Sequence, residues 1–388
     1  MHPHLQVVVF GILGQLPVAG VAWQALHYLE GFRRLGCEVY YVEDTGAWPY
    51  DPTLNTLSEN CSYALNYTAR VMGEYGLADR WAYCSASPER RIFGMTSHQL
   101  GEVINHADVL VNLTGATTLR KEHLRIPVRI YLQTDPVQAQ VEAAQGDQQI
   151  LTILGAHTHH FTFGENLEAP DCQVPPGPFA YQPTRQPIVL DWWPSEADRG
   201  NDCFTTIANW RVSGKDVTWN GETYAWSKHQ EFLKFMDLPA HTPQTFELAL
   251  ACDDLDAIRL LRSHNWQVRD AVALSADLSA YHDYIVRSRG EFTVAKDQNI
   301  RLRSGWFSDR SACYLSAGRP VITQDTGFGT VLPTGKGLFA FRSMDQILEA
   351  IDQINSDYSM HSRAAEEIAK EYFSADGVLA SLLERANA

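Results

Sequence analysis

Positive charge is scarce in this sequence. Its 388 residues carry 31 Lys and Arg against 46 Asp and Glu, a formal net charge of −15 with a pI near 5.3. Binding a nucleic-acid backbone or an anionic membrane requires a surplus of cations, so the balance argues against both as partners. An anionic small ligand stays open, because a few local donors hold a diphosphate whatever the global field. Long apolar runs are missing as well. Residues 7–13 typify the longest, far below the about 20 residues of a membrane span. No basic segment and cleavage site open the chain, and the expected location is the cytoplasm. The seven cysteines (37, 61, 84, 172, 203, 252, 313) are scattered without a C-x-x-C pair, which points to reduced core thiols rather than a disulfide framework. The G-x-G-x-x-G spacing that cradles a dinucleotide is absent.

What is present is a globular composition, 45% hydrophobic and 20% charged, with room for two domains. Residues 6–10 (QVVVF) form an apolar run ending at Gly11, with Gly14 and Gly20 after it. Apolar residues at helical spacing follow over 21–35, then a second strand pattern, EVYYV, ending on Glu43 and Asp44. Strand, glycine-rich turn, helix, strand opens a parallel doubly wound sheet. Further strands are expected at 109–113, 128–132 and 161–163. In such sheets ligands bind at the carboxyl ends of strands, which places Gly11, Gly14, Gly20, Asp44 and Asp135 on a binding rim.

Residues 167–196 are rich in proline and read as an interdomain connection. A second alternating pattern follows: strands at 203–208, 245–251, 284–286 and 320–323, with helices at 227–236, 255–263 and 308–317. The tail is helical over 362–372 and 378–386. The expected architecture is therefore α/β, two Rossmann-like doubly wound domains facing a cleft. Their expected bounds are 1–182 and 183–360, with helices over 361–388 packing back on the first domain.

The stretch 303–329, RSGWFSDRSACYLSAGRPVITQDTGFG, resembles the donor-binding region of GT-B glycosyltransferases. Gly305-Trp306-Phe307-Ser308 looks like the Gly-Trp-Asn-Ser of the plant secondary-metabolite type, with Arg303 where those enzymes carry His. Gly318-Arg319-Pro320-Val321-Ile322 looks like the Gly-Lys/Arg-Pro-Val-Ile of the large retaining family, and LEGFRRLGCEVYYVED resembles the first unit of the same superfamily. The resemblance implies a sugar transferase with its donor in the C-terminal half and its acceptor in the N-terminal half. Glu291 resembles the acidic residue that grips the donor in retaining families, but the second Glu of their Glu-x7-Glu pattern is replaced by Asn299. Arg211, Lys215 and Lys228 stand where related enzymes place a basic pair for diphosphate, and Lys296 is a further contact.

The residues carry a physical reading of their own. Ser308 is a good helix cap, and the N–H groups of the helix it opens, together with Asp309, Arg310 and the nearby Arg303, frame an anion site. Gln324, Asp325 and Gly327 follow a strand, where amide and carboxylate suit sugar hydroxyls. Asp325-Thr326-Gly327 also reads as a plain turn. A transferase that inverts needs a base, and Asp135 is the first candidate, His160 the second, Glu43 or Asp44 the third. The His157, His159, His160 cluster lacks further ligands for zinc. The Asp254-Leu255-Asp256 run reads as a helix start rather than a metal motif, so no metal and no resident cofactor are expected. Three activities fit such a cleft. They are transfer from a nucleotide-sugar co-substrate to a small-molecule or glycan hydroxyl, a nucleotide-sugar epimerase or hydrolase, and a non-catalytic sugar-nucleotide binder.

Overall fold

The computed structural model describes residues 5–195 and 201–388. Residues 1–4, at the start of the expected first domain, and 196–200, at the end of the expected connection, lie outside the described residues. Eight strands form the first sheet: β1 (Gln6–Phe10), β2 (Glu38–Glu43), β3 (Trp81–Cys84), β4 (Ile92–Gly94), β5 (Val109–Leu113), β6 (Val128–Gln133), β7 (His159–Thr162) and β8 (Gln182–Pro183). Their order is β8-β7-β6-β5-β1-β2-β3-β4, and β4, paired antiparallel to β3, is the only strand that breaks the parallel run. The second sheet holds β9 (Cys203–Asn209), β10 (Thr245–Ala251), β11 (Gln267–Asp270), β12 (Gly290–Thr293), β13 (Val321–Gln324) and β14 (Leu338–Phe341). It is parallel throughout in the order β11-β10-β9-β12-β13-β14. Both sheets start in the middle, run to one edge and return to the other side of the first strand. Each therefore has a switch point beside its first strand, β1–β5 in one and β9–β12 in the other, where a crevice opens.

The sequence explains the central strands. Val7, Val8, Val9 and Phe10 of β1 are all fully buried, as a strand covered by helices on both faces demands. One expected strand is corrected. Residues 284–286 end the helix Leu278–Val286, capped by Asp277, whose carboxylate accepts from Ala280 N at 2.8 Å. The strand lies just beyond, in β12. A short apolar run cannot choose between helix and strand; here Leu278, Tyr281 and Ile285 bury one helical face.

The chain crosses between the sheets twice, and the crossings are tied together. Ile188 N donates to Phe373 O at 2.7 Å and Ala375 N to Ile188 O at 2.9 Å. The last helix, Ala375–Arg385, then lies on α1 (Ala19–Arg34). A Cβ on Gly31 of α1 would come within 2.5 Å of Leu379 Cδ1, so glycine is what lets the two helices approach.

Candidate functional site: a cationic wall facing Asp135

Three cations and two indoles gather at the carboxyl ends of β9 and β12, the switch point of the second sheet. Lys296 follows β12, and its Nζ lies 3.2 Å from the centroid of the Trp226 ring and 5.9 Å from that of Trp306. Lys228 approaches the other side, 5.5 Å from the Trp306 centroid. Arg310, in α2 (Asp309–Ser316), reaches the inner end of the group. It donates to Glu291 Oε1 at 2.6 Å, to Ile207 O and, at 3.2 Å, to Thr293 Oγ1. Glu291 is fully buried on β12, and only this guanidinium makes its charge tolerable there. Burial opposes the charge of Arg310, but Glu291 beside it holds it protonated. Lys228 has no such anchor. Burial, then Arg310 and Lys296, bring its ammonium down to about 7.

The opposite wall comes from the end of β6. Asp135 Oδ1 receives Lys296 Nζ at 2.5 Å, an ion pair that spans the two domains. Beside it Trp306 Nε1 donates to Thr134 O at 3.0 Å. The turn that presents Asp135 is strained: Val137 holds φ 96° and ψ −61°, a region a β-branched residue avoids. Its N–H donates to Gln140 Oε1 at 2.8 Å, and Gln140 is locked to Gln133 by two amide bonds of 2.6 and 3.0 Å. Thr162 of β7 adds a third contact to Gln133 at 2.9 Å. Strain that a buried network over-determines collects at binding sites, and this one sets the rim opposite the lysines.

No protein-family model matches the sequence, and no curated protein resembles it at the sequence level. Solved structures do. An α-glucosyltransferase in complex with UDP and a 13-mer DNA containing an HMU base superposes with a TM-score of 0.58 at 10% identity, over 100% of both chains. Anabaena Alr3699/HepE in complex with UDP and glucose gives 0.58 at 9% identity over 99% of this chain and 100% of that one. AviGT4, a glycosyltransferase involved in avilamycin A biosynthesis, gives 0.56 at 12% over 99% and 97%. The chain has the GT-B fold.

The GT-B cleft brings together Asp135, Lys228, Glu291, Lys296 and Arg310 from the expected set. Trp226 was not anticipated, since a lone Trp in a hairpin carries no motif, nor was the Gln133–Gln140 lock. Lys215 is exposed 4.7 Å from the Trp226 centroid, at the margin of the group, and Arg211 is exposed near Asp254 at 3.7 Å. Gln324 is buried behind the wall, donating to Glu231 Oε2 at 2.8 Å. Asp254 caps the helix Leu255–Ser263 through Asp256 N and Ala257 N, at 3.1 and 3.0 Å.

The helix start at Ser308 differs from expectation. Ser308 occupies the cap position, yet its side chain makes no capping bond. Asp309 does that work: Oδ1 accepts from Arg310 N at 2.8 Å and Oδ2 from Gln24 Nε2 of α1 at 3.1 Å. Burial raises the Asp309 carboxyl, partly offset by Arg310. The positive end of α2 is thus met by the protein's own carboxyl group. Arg303 differs too. Its guanidinium is held by Asp171 at 2.6 Å and Asp325 at 3.3 Å, and its carbonyl accepts from Asn166 Nδ2 at 2.9 Å. Gly305 has φ 79°, and a Cβ there would lie 2.4 Å from Asn166 N; one on Gly327 would meet Asn166 Nδ2 at 2.9 Å. Arg303, Gly305, Asp325 and Gly327 therefore build the seam between the domains.

In the N-terminal half, Asp44 is buried between two arginines, accepting from Arg90 and Arg120 at 2.6–3.2 Å through both oxygens. Burial alone would raise it, but Arg120 and Arg90 hold it below the usual carboxylate range. Glu43 accepts from Gly14 N at 2.7 Å, Gln15 N and Tyr41 Oη at 3.0 Å, and burial nevertheless lifts it to about 7. Gly11 makes room for the Tyr41 ring, 2.7 Å from its notional Cβ, Gly14 for Thr68 and Tyr83, and Gly20 for Tyr281 of the other domain. His160 lies apart from the cleft. It is buried, its Nε2 bonds to Leu154 O at 2.9 Å, and its ring packs against Phe179 and Tyr181. A base so enclosed has no path to an acceptor. His157 is likewise tied to Ile153 O at 2.8 Å. Among the described residues no group of three His, Cys, Asp or Glu is arranged to hold a metal ion, and no helix is long and apolar enough to cross a membrane.

Proposed function

We propose that the protein transfers a sugar from a nucleoside-diphosphate sugar to a hydroxyl of a small-molecule or glycan acceptor, without a divalent metal. The observation that carries this reading is the cationic wall: Lys228 and Lys296 lie against two indole faces, with Arg310 behind them, at the switch point of the donor half. A leaving diphosphate develops negative charge as the anomeric C–O bond breaks, and fixed cations in a dry cleft stabilise it directly. The acceptor oxygen forms the new bond to the anomeric carbon, and its proton passes to Asp135 across the cleft. Asp135 is paired with Lys296, so a diphosphate that draws on that lysine as it binds leaves the carboxylate free to act as base. The UDP and UDP-glucose held by the structural neighbours support a nucleotide donor of this class. One neighbour carries DNA; the net charge of −15 favours a neutral acceptor over nucleic acid for this chain.

The test is a thermal-shift panel of nucleotide sugars, followed by product analysis with the donor that stabilises the protein. Acceptor-dependent nucleotide release that persists in EDTA is the expected result. Release without acceptor would replace transfer by hydrolysis, and activity restored only by Mn²⁺ or Mg²⁺ would overturn metal independence.

A further inference from the structure

Lys228 is the cation of the cleft that lacks a counter-charge. Its neighbours are paired: Lys296 with Asp135 at 2.5 Å, Arg310 with Glu291 at 2.6 Å, and Lys234 on the same helix with Glu231 at 2.6 Å. Lys228 is only 9% exposed, and among the described residues no carboxylate lies within 4.0 Å of its ammonium. The groups that face it are Arg310 from α2, Lys296 from the segment after β12, Glu291 from β12 and Asp135 from the acceptor half. The two carboxylates are already neutralised by the two cations, so no net negative charge is left for a third. Glu231, three residues along its own helix, is taken by Lys234 and Gln324. An enclosed ammonium without a partner sheds its proton rather than bear the desolvation. The field reverses when a diphosphate arrives, since it brings at least two negative charges to the spot where the uncompensated amine sits.

Building on the donor reading above, we propose that the Lys228 amine gives up its proton above neutrality in the free protein and takes one back from solvent as the donor's diphosphate binds, which makes donor capture a proton-coupled step. No covalent bond changes; the amine gains a proton, and the new ammonium pairs with the phosphate oxygens. Burial together with Arg310 and Lys296 sets the group to titrate at about 7, so the coupling falls where small pH changes matter. Donor affinity then weakens with rising pH, approaching tenfold per unit well above neutrality.

Calorimetric titration of UDP into the full-length protein, repeated in buffers of different ionisation enthalpy, counts the protons directly. Uptake of roughly 0.9 proton per UDP is expected at pH 8, where the nucleotide is itself fully ionised, and it should fall as the pH is lowered through 7 and the amine is already protonated before UDP binds. Lys228→Arg, whose side chain stays charged, should bind UDP while losing the uptake at pH 8 and flattening the affinity between pH 7 and 9. Lys228→Met should bind at least about tenfold more weakly, again without uptake, which keeps the test sound if arginine does not fit. Lys296→Arg should leave the uptake in place. UDP binding by the wild-type protein without proton uptake, or uptake unchanged in Lys228→Arg, would overturn the proposal while leaving the donor site intact. Failure of UDP and every other nucleoside diphosphate to bind at any pH would overturn the donor reading and this proposal with it.

Discussion

The two walls of the cleft are charged in different ways. On the N-terminal side each acidic group near the strand ends is met from within: Asp44 by Arg90 and Arg120, Glu43 by two backbone N–H groups and a tyrosine. Asp135 is the exception, and its partner comes from the other domain. On the C-terminal side the basic groups outnumber the carboxylates that could pair with them, and the one left over is Lys228, beside the Trp306 ring, whose proton is held only weakly. A wall whose charges are mutually satisfied is stable empty and suits a neutral ligand such as an alcohol. A wall with unmatched cations is incomplete until an anion enters. The asymmetry is what the proposed division of labour, donor in one half and acceptor in the other, requires of the electrostatics.

The sharpest way to break this comparison is Asp135→Asn. The amide keeps the size of the side chain and a hydrogen bond to Lys296 but takes no proton. Turnover should fall about 10²–10⁴-fold. UDP affinity should hold or tighten, because Lys296 loses a competing anion. Near-normal kcat would reduce Asp135 to an interdomain tether. Arg310→Met comes next. It leaves Glu291 charged and buried with only Thr206 Oγ1 at 3.2 Å, which should cost about 3–5 kcal/mol of stability. The double variant Arg310→Met, Glu291→Gln should recover part of that loss in urea unfolding. A single variant within about 1 kcal/mol of wild type would show that Glu291 does not depend on the guanidinium and would remove Arg310 from the balance of the wall.

Much of this was legible in the sequence, for identifiable reasons. β1 and β5 announce themselves because strands buried on both faces leave nearly continuous apolar runs such as QVVVF and VLVNL. Strand ends in parallel sheets point to the cleft, so Asp135 could be found by position, whereas Lys296 could not, because its strand was expected at 284–286 and lies at Gly290–Thr293. The seam could not. Gly305 reads as a donor-loop glycine, yet it is glycine because Asn166, 139 positions earlier, packs its backbone against it. Arg303 reads as a phosphate ligand until Asp171 and Asp325 are seen on either side of it. Both depend on which distant segments meet, and local spacing carries no trace of that. His160 was misplaced for a related reason. Strand residues alternate between faces, and residues 159–162 give no sign of which face meets the cleft.

The smallest effect probes the satisfied wall. Glu43 ionises near 4.5 when unfolded and at about 7 when folded, so burial makes the folded state retain its proton longer. Stability from this group is fully present below pH 4.5 and is lost as pH rises through 7, because there the unfolded chain has shed a proton that the folded chain still holds. The full swing is about 3 kcal/mol. Glu43→Gln cannot ionise. It keeps one acceptor for Gly14 N but turns an amide N–H₂ towards Gln15 N, so at pH 4.5 it should be less stable than wild type by about 1–2 kcal/mol. By pH 8 the wild type has lost its advantage and the two should converge or cross. Other titrating groups are common to both proteins and drop out of the difference, which makes the comparison of urea midpoints at the two pH values specific to this carboxyl. A gap between the variants that stays constant from pH 4.5 to 8 would mean that Glu43 ionises as freely in the fold as outside it. The acceptor wall would then carry a buried negative charge and would not be the neutral surface the comparison assigns to it.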